Sequence, residues 1–128
     1  MGRDVQMGPG QLRIMQVLWQ RQRASAREIT RALNRAKSTE IAHSTVQTLL
    51  RQLESKGIVS HEKENRTFVF FPLVDRENVI KSEIRKLKKR LFAGSAGNLM
   101  NFLLTRERIS KGELKQIQKL IRERETVK

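Results

Sequence analysis

Apolar residues recur every three or four positions in the first part of the chain, and this spacing predicts two helices. The first runs from Pro9 to about Arg23, because proline suits the first turn of a helix and an apolar stripe follows it. Ser25 and Glu28 have the spacing of a capping box and predict a second helix that ends near Ala36. The inward-facing residues of these helices are Leu12, Met15, Leu18 and Trp19, then Ile29, Ala32 and Leu33.

A third helix is predicted from His43 to Lys56, and Gly57 ends it. Its apolar stripe consists of Val46, Leu49, Leu50 and Leu53. At about 100° per residue, the side chains opposite this stripe are polar and include no acidic group. They are Ser44, Thr48, Arg51 and Ser55, flanked by Thr45, Gln47 and Gln52.

Two short strands are predicted next, from Ile58 to Glu62 and from Thr67 to Phe71, joined by a basic turn at residues 63–66. The aromatic residues of this region are assigned to the core, because a hairpin needs apolar residues to cover the helices. They are Phe68, Phe70 and Phe71, together with Trp19. Three helices followed by a hairpin is the order of a winged helix-turn-helix, so the fold is expected to be mostly α with a small β-hairpin.

The rest of the chain predicts three more helices. From Asp75, leucine and isoleucine recur at spacings of four, three and four under a dense coat of Lys and Arg. Residues 94–97 break this helix, and a short apolar helix covers residues 98–104. Ser110 and Glu113 then form a capping box that opens the last helix.

These C-terminal helices carry more leucine and isoleucine than a thin chain of helices covers alone, so a homodimer is predicted. The chain is divided into a winged-helix DNA-binding domain, residues 1–74, and a helical dimerisation domain, residues 75–128. A two-fold dimer places two third helices on successive major grooves, which predicts an inverted-repeat operator. The expected dimerisation residues are Ile80, Ile84, Leu87, Leu91, Leu99, Phe102, Leu103, Leu114, Ile117, Leu120 and Ile121.

The start of the third helix is suited to reading base edges. Short hydroxyl and amide side chains reach donors and acceptors in the major groove, and threonine also meets the thymine methyl. Helix capping or solvation explains Ser44 or Thr45 equally well when either is taken alone. The expected base contacts are Ser44, Thr45, Gln47 and Thr48, and the expected backbone contacts are His43, Arg51, Lys63 and Arg66.

Charge and composition limit the classes of function that fit the sequence. The net charge of +14, from 27 Lys and Arg against 13 Asp and Glu, favours a polyanionic partner. The chain has no cysteine and two isolated histidines, so no metal site is expected, and no phosphate loop or nucleophile–base pair indicates an enzyme or a cofactor. Without a long apolar run or a signal peptide pattern, a cytoplasmic protein that does not insert into membranes is expected.

Five segments of the sequence resemble the BlaI/MecI/CopY family, which comprises the penicillinase and methicillin-resistance repressors and their copper-responsive relatives. The resemblance covers nearly the whole chain. The segments are GQLRIMQVLW at 10–19, SAREI at 25–29, STVQTLLRQLESKG at 44–57, FVFFP at 68–72 and NLMNFL at 98–103.

The resemblance implies a dimeric repressor that binds inverted-repeat operators through its third helix and wing. In the beta-lactam-responsive branch a membrane sensor protease triggers cleavage within the dimerisation helices, and the matching bond here is Asn101–Phe102. An amphipathic core helix explains the same two residues without cleavage. The copper-responsive branch carries paired cysteines that this chain lacks. Ile41 replaces a tryptophan of many relatives, and Gln47 replaces a basic residue of several, so a different operator sequence is expected.

Two other functions are compatible with the residues. A basic RNA-binding or ribosome-associated protein would use the winged helix as a scaffold, although such a protein has little need of a symmetric apolar tail. A ligand-sensing repressor would bind a small molecule in a pocket between its domains.

Overall fold

The computed structural model describes residues 6–36 and 40–126, and these residues form six helices and three strands. The predicted helices are present, with ends shifted by one or two residues, as is usual at helix termini. The elements are α1 (Pro9–Arg21), β1 (Ala24–Ser25), α2 (Ala26–Ala36), α3 (His43–Ser55), β2 (Val59–Glu64), β3 (Thr67–Pro72), α4 (Arg76–Leu91), α5 (Ala96–Arg106) and α6 (Lys111–Thr126). The predicted domains also include residues 1–5, 37–39 and 127–128, which lie outside the described residues.

Local signals at the helix ends act as predicted. The amide of Ser25 donates to Glu28 Oε1 at 2.8 Å, and the amide of Glu28 donates to Ser25 Oγ at 3.1 Å, which completes the capping box of α2. After α3, Gly57 has φ +77°, a backbone conformation that side chains with a Cβ rarely adopt. This turn directs the chain from α3 into β2.

The sheet has three antiparallel strands in the order β1-β3-β2. The hairpin of β2 and β3 was predicted, but β1 was missed. Ala24 pairs with Phe70 and Ser25 with Val69, so β1 exists only because β3 lies beside it. A two-residue strand has no periodicity of its own, and the sequence therefore gives no local signal for it.

The core of the first three helices and the sheet is continuous, and Trp19 packs against it as predicted. Phe70 is buried and Phe71 is half-buried, but Phe68 is half exposed, so its assignment to the core was wrong. Phe68 lies near the end of the hairpin, where it contacts the ring of His61 at a centroid distance of 4.6 Å. The fully buried large side chains are Ile14, Met15, Leu18, Ile29, Val46, Leu50, Leu53 and Val59.

The chain divides into two compact units, the first ending at Glu83 and the second beginning at Ile84. The boundary thus falls within α4, whereas the predicted division into functional domains at residues 74–75 stays a prediction. In the second unit, Phe92 and Phe102 make an edge contact at 5.9 Å, and Leu99 is the one buried hydrophobic side chain among residues 84–126. None of the helices described is both long and apolar enough to cross a membrane.

Candidate nucleic-acid interface

Two side-chain networks hold α3 in place. At its start, Asn34 of α2 makes two hydrogen bonds to Ile41, accepting from its amide at 2.7 Å and donating to its carbonyl at 3.1 Å. At its end, the buried Gln11 of α1 donates to Gln52 at 2.9 Å and accepts from Lys56 at 2.9 Å. Because a buried polar side chain is stable only when it is hydrogen-bonded, these contacts fix α3 against α1 and α2.

The first two turns of α3 expose the side chains that were predicted to read bases. The N-cap is Ala42, which has no side-chain capping bond, so neither Ser44 nor Thr45 serves as the cap. Thr48 donates to the Ser44 carbonyl at 3.1 Å and accepts from Arg51 at 3.3 Å. Ser44, Thr45, Gln47, Thr48 and Arg51 are all exposed, and the side chains of Ser44, Thr45 and Gln47 make no hydrogen bond within the described part of the chain.

His43 is half-buried, and its ring is already engaged. Its Nδ1 lies 3.2 Å from Thr30 Oγ1, and the Thr30 hydroxyl donates its proton to the Ala26 carbonyl at 2.8 Å. Nδ1 is therefore engaged within the protein, which leaves Nε2 as the ring nitrogen available to a partner.

The β2–β3 hairpin, called the wing here, ends in a two-residue turn of Asn65 and Arg66, whose φ angles are +48° and +67°. Two positive φ values are the signature of a turn that normally carries glycine at its second position. Arg66 thus has a strained backbone conformation, which glycine would adopt at a lower cost in free energy. Lys63 lies within β2, paired with Phe68, rather than at the tip where it was predicted.

The face of the wing towards α3 is joined to that helix by a hydrogen-bonded pair of side chains. His61 Nδ1 lies 2.8 and 2.9 Å from the two carboxylate oxygens of Glu54, and both side chains are about one-third exposed. Alternation along β2 places Lys63 on the same face as His61. On the other face, Arg23 binds Glu62 and Glu64, and the hydrogen bonds that it donates to these carboxylates raise the pKa of Arg23.

A groove of about 820 Å³ lies between α2, α3 and the wing. Four arginines line it, two of which the sequence interpretation missed: Arg27 and Arg31, four residues apart on α2. Its two carboxylates are Glu28, which completes the capping box, and Glu54, which is hydrogen-bonded to His61. Four arginines against two carboxylates leave the groove with a positive surface. Its polar and charged lining includes Arg27, Arg31, His43, Gln47, Arg51 and Arg66.

The order of helices and wing is matched in known proteins. A sequence model of the penicillinase repressor family matches residues 7–123. The chain belongs to the penicillinase repressor family. This confirms the resemblance seen in the sequence, and a member of this family is a transcriptional repressor, not an enzyme.

Relatives in the penicillinase repressor family match most of the chain. The penicillinase repressor of Bacillus licheniformis is 25% identical over 118 residues, which are 92% of this chain and 91% of the relative. The methicillin resistance regulatory protein MecI of Staphylococcus aureus strain N315 is 21% identical over 108 residues, 84% of this chain and 86% of MecI.

A solved structure of the penicillinase repressor family confirms the fold. It is the solution structure of the monomeric form of Bacillus licheniformis BlaI in complex with the blaP half-operator. The match has a TM-score of 0.51 and 29% sequence identity, and it covers 61% of this chain and 93% of that one. The predicted winged-helix fold is confirmed, while the roles of individual site residues stay predictions.

Proposed function

We propose that this repressor binds an inverted-repeat operator as a homodimer, with α3 of each copy in a major groove and the wing on the flanking backbone. The observation that carries the proposal is the exposed face of α3, where Ser44, Thr45 and Gln47 have unused hydrogen-bonding groups beside a positive groove. The complex of BlaI with a half-operator supports the same use of the fold. The repressor would then act in the cytoplasm, with its DNA.

The backbone contacts of the proposal come from the groove and the wing. Arg51 and Arg66 line the groove, and Lys63 lies on the wing face towards α3. Strain at Arg66 supports a role for its side chain, because a residue held in an unfavourable backbone conformation is typical of functional sites. We add Arg27 and Arg31 of α2 to the proposed phosphate contacts.

The proposed homodimer follows from the lack of a core in the second unit. Among its described residues, 84–126, Leu99 is the one buried hydrophobic side chain, so it offers little further surface to a partner, although it was predicted to lie in the interface. Leu91 is 66% exposed and Leu120 is 62% exposed. A set of other large apolar side chains is exposed as well. A second copy of the same segment would remove this surface from water. The set comprises Ile84, Met100, Phe102, Leu103, Leu104, Leu114 and Ile121, and the exposed Ile80 lies on α4 just before this unit begins.

The test of the proposed function is selection of the full-length protein against a library of random duplexes, at near-physiological salt so that non-specific binding is suppressed. Enrichment of an inverted repeat is expected, with two half-sites about one helical turn apart or a multiple of it. Enrichment of a single half-site would contradict the dimer. Tight, salt-sensitive binding without any enrichment would contradict base reading and favour the RNA-binding alternative.

Cleavage of the Asn101–Phe102 bond is the proposed route to derepression, after a beta-lactam or cell-wall signal acts through a membrane sensor protease. The bond lies in the middle of α5, and Thr105 donates to the Asn101 carbonyl at 2.7 Å. We therefore expect cleavage only after α5 has unwound locally. Mass spectrometry of the protein from beta-lactam-treated cells should find a fragment that ends at Asn101. Fragments that end only elsewhere, or an intact chain under derepression, would contradict this route.

A further inference from the structure

The positive charge of the chain is concentrated outside the winged helix. Residues 84–128 contain 13 of the 27 Lys and Arg but only four of the 13 acidic residues, so nine of the 14 net positive charges lie in this third of the chain. A helical segment that served only to hold two copies together would gain nothing from this charge, since two such segments repel each other. The charge indicates a polyanionic partner for the second unit itself.

On α6 the cations form a regular stripe, called the α6 basic stripe here. Successive members are four, four and three residues apart, so at about 100° per residue they fall within a sector of roughly 80°. The centre of this sector lies roughly 100–160° from Leu114, Ile117, Leu120 and Ile121. The members are Lys111, Lys115, Lys119 and Arg122, and all four are exposed.

The charges of the α6 basic stripe are not neutralised within the second unit. Across residues 6–36 and 40–126, no carboxylate lies within ion-pair distance of these four side chains. Glu123 directly follows Arg122 but makes no ion pair with the stripe. Glu113 is used in the capping box of α6, where its carboxylate accepts a hydrogen bond from the Ser110 amide and its amide donates to Ser110 Oγ at 3.1 Å. The stripe is therefore available to an anionic partner.

The arrangement favours duplex DNA over other polyanions. A basic amphipathic helix also suits an acidic membrane surface, but only when its apolar side is free to enter the lipid, and in the proposed dimer that side of α6 is covered by the second copy. Single-stranded nucleic acids are bound by aromatic side chains that stack on bases, and α6 contains no aromatic residue. Evenly spaced cations without stacking groups are suited to phosphates of a duplex backbone.

We propose that the α6 basic stripe binds the phosphate backbone of duplex DNA without regard to sequence, as a second DNA-binding surface outside the winged helix. The inference rests on the proposed function in one respect, that a second copy covers the apolar side of α6. The stripe would raise the affinity for operator and non-operator DNA alike and would offset the repulsion between the two paired units. Base reading by α3 would be unchanged.

The test compares Lys115→Gln/Lys119→Gln with the matched control Arg85→Gln/Lys89→Gln, a pair four residues apart on the side of α4 away from its apolar stripe. Both double variants of the full-length protein lower the charge of the second unit equally, and all four residues are exposed, but only the first pair belongs to the stripe. Binding to a long mixed-sequence duplex is measured across a range of salt concentrations. In the first variant the slope of log K against log salt should become less steep by up to about 1.8 per chain, which is about 0.9 for each lost phosphate contact. The slope should change less in the control.

Equal losses in the two double variants would overturn the proposal, because net charge alone would then explain them. A loss seen with single-stranded RNA or with phosphatidylserine vesicles, but not with the duplex, would overturn it in favour of that partner. Lys115→Ala/Lys119→Ala provides a second variant, and sedimentation checks that each variant is dimeric. The ratio of operator to non-operator affinity should stay at the wild-type value. If the wild type itself shows no such preference, the proposed function fails while the stripe is still tested by the slope.

Discussion

Leu87→Asp is expected to turn the dimer into a monomer. Leu87 belongs to the apolar stripe of α4, between the exposed Ile84 and Leu91. A carboxylate buried there in the dimer would have no compensating partner, which costs about 3–5 kcal/mol for each buried charge. With two such charges in a dimer, the dissociation constant should rise at least about 10⁴-fold. Sedimentation velocity over a concentration series measures this directly, and affinity for an inverted-repeat operator should fall with it.

The control for this variant is Asn78→Asp, which makes the same charge change at an exposed position of α4. Because Leu87 is half-buried in the single chain, Ile84→Asp serves as a second variant at a position that is 42% exposed. Both stripe variants should keep the helical circular dichroism of the wild type. A folded Ile84→Asp protein that sediments as an intact dimer would place the interface elsewhere.

Gln47→Ala is expected to weaken operator binding by about 1–3 kcal/mol, which is roughly a 5- to 150-fold loss, while leaving binding to random DNA nearly unchanged. The side chain is exposed, so its removal should alter the free energy of unfolding by no more than about 0.5 kcal/mol. Thr45→Ala should show the same pattern. The measurement is a pair of titrations, one with the selected operator and one with a mixed-sequence duplex.

The matched control for Gln47→Ala is Gln20→Ala, an identical change at an exposed position of α1 that does not line the groove. It should leave both affinities unchanged. If Gln47→Ala weakened binding to operator and random duplex by the same factor, Gln47 would not be a base contact. A loss confined to the operator, with only one base position changed in a repeated selection, would identify the base that Gln47 reads.

The sequence predicts those parts of the fold that depend on local interactions. The capping boxes at Ser25–Glu28 and Ser110–Glu113 join residues three apart, and the helix periodicity needs only neighbouring turns. Strand β1 depends on pairing with β3, which lies more than 40 residues away, so no local pattern predicts it. Phe68 was wrongly assigned to the core because composition shows that a residue is apolar, but not that the hairpin extends beyond the helices it covers.

The sequence predicted the part of the candidate site that lies on one helix face. It missed the part that depends on packing between elements. The exposed positions of α3 follow from the 100° rotation per residue. The Glu54–His61 pair and the approach of Arg27 and Arg31 to the groove come from the packing of α2, α3 and the wing, which distant residues determine. Lys63 was placed at the tip because the first hairpin strand was predicted to end at Glu62, two residues before β2 ends at Glu64.

Trp19 gives the protein an optical probe of one unit. It is the only tryptophan, the chain has no tyrosine, and its indole Nε1 donates to the Val74 carbonyl at 2.9 Å, just after the sheet. Its emission therefore reports the packing of α1 against the end of the sheet, while the helical dichroism reports both units. Followed together during denaturation, the two signals would distinguish melting of the winged helix from dissociation of the C-terminal helices without any added label.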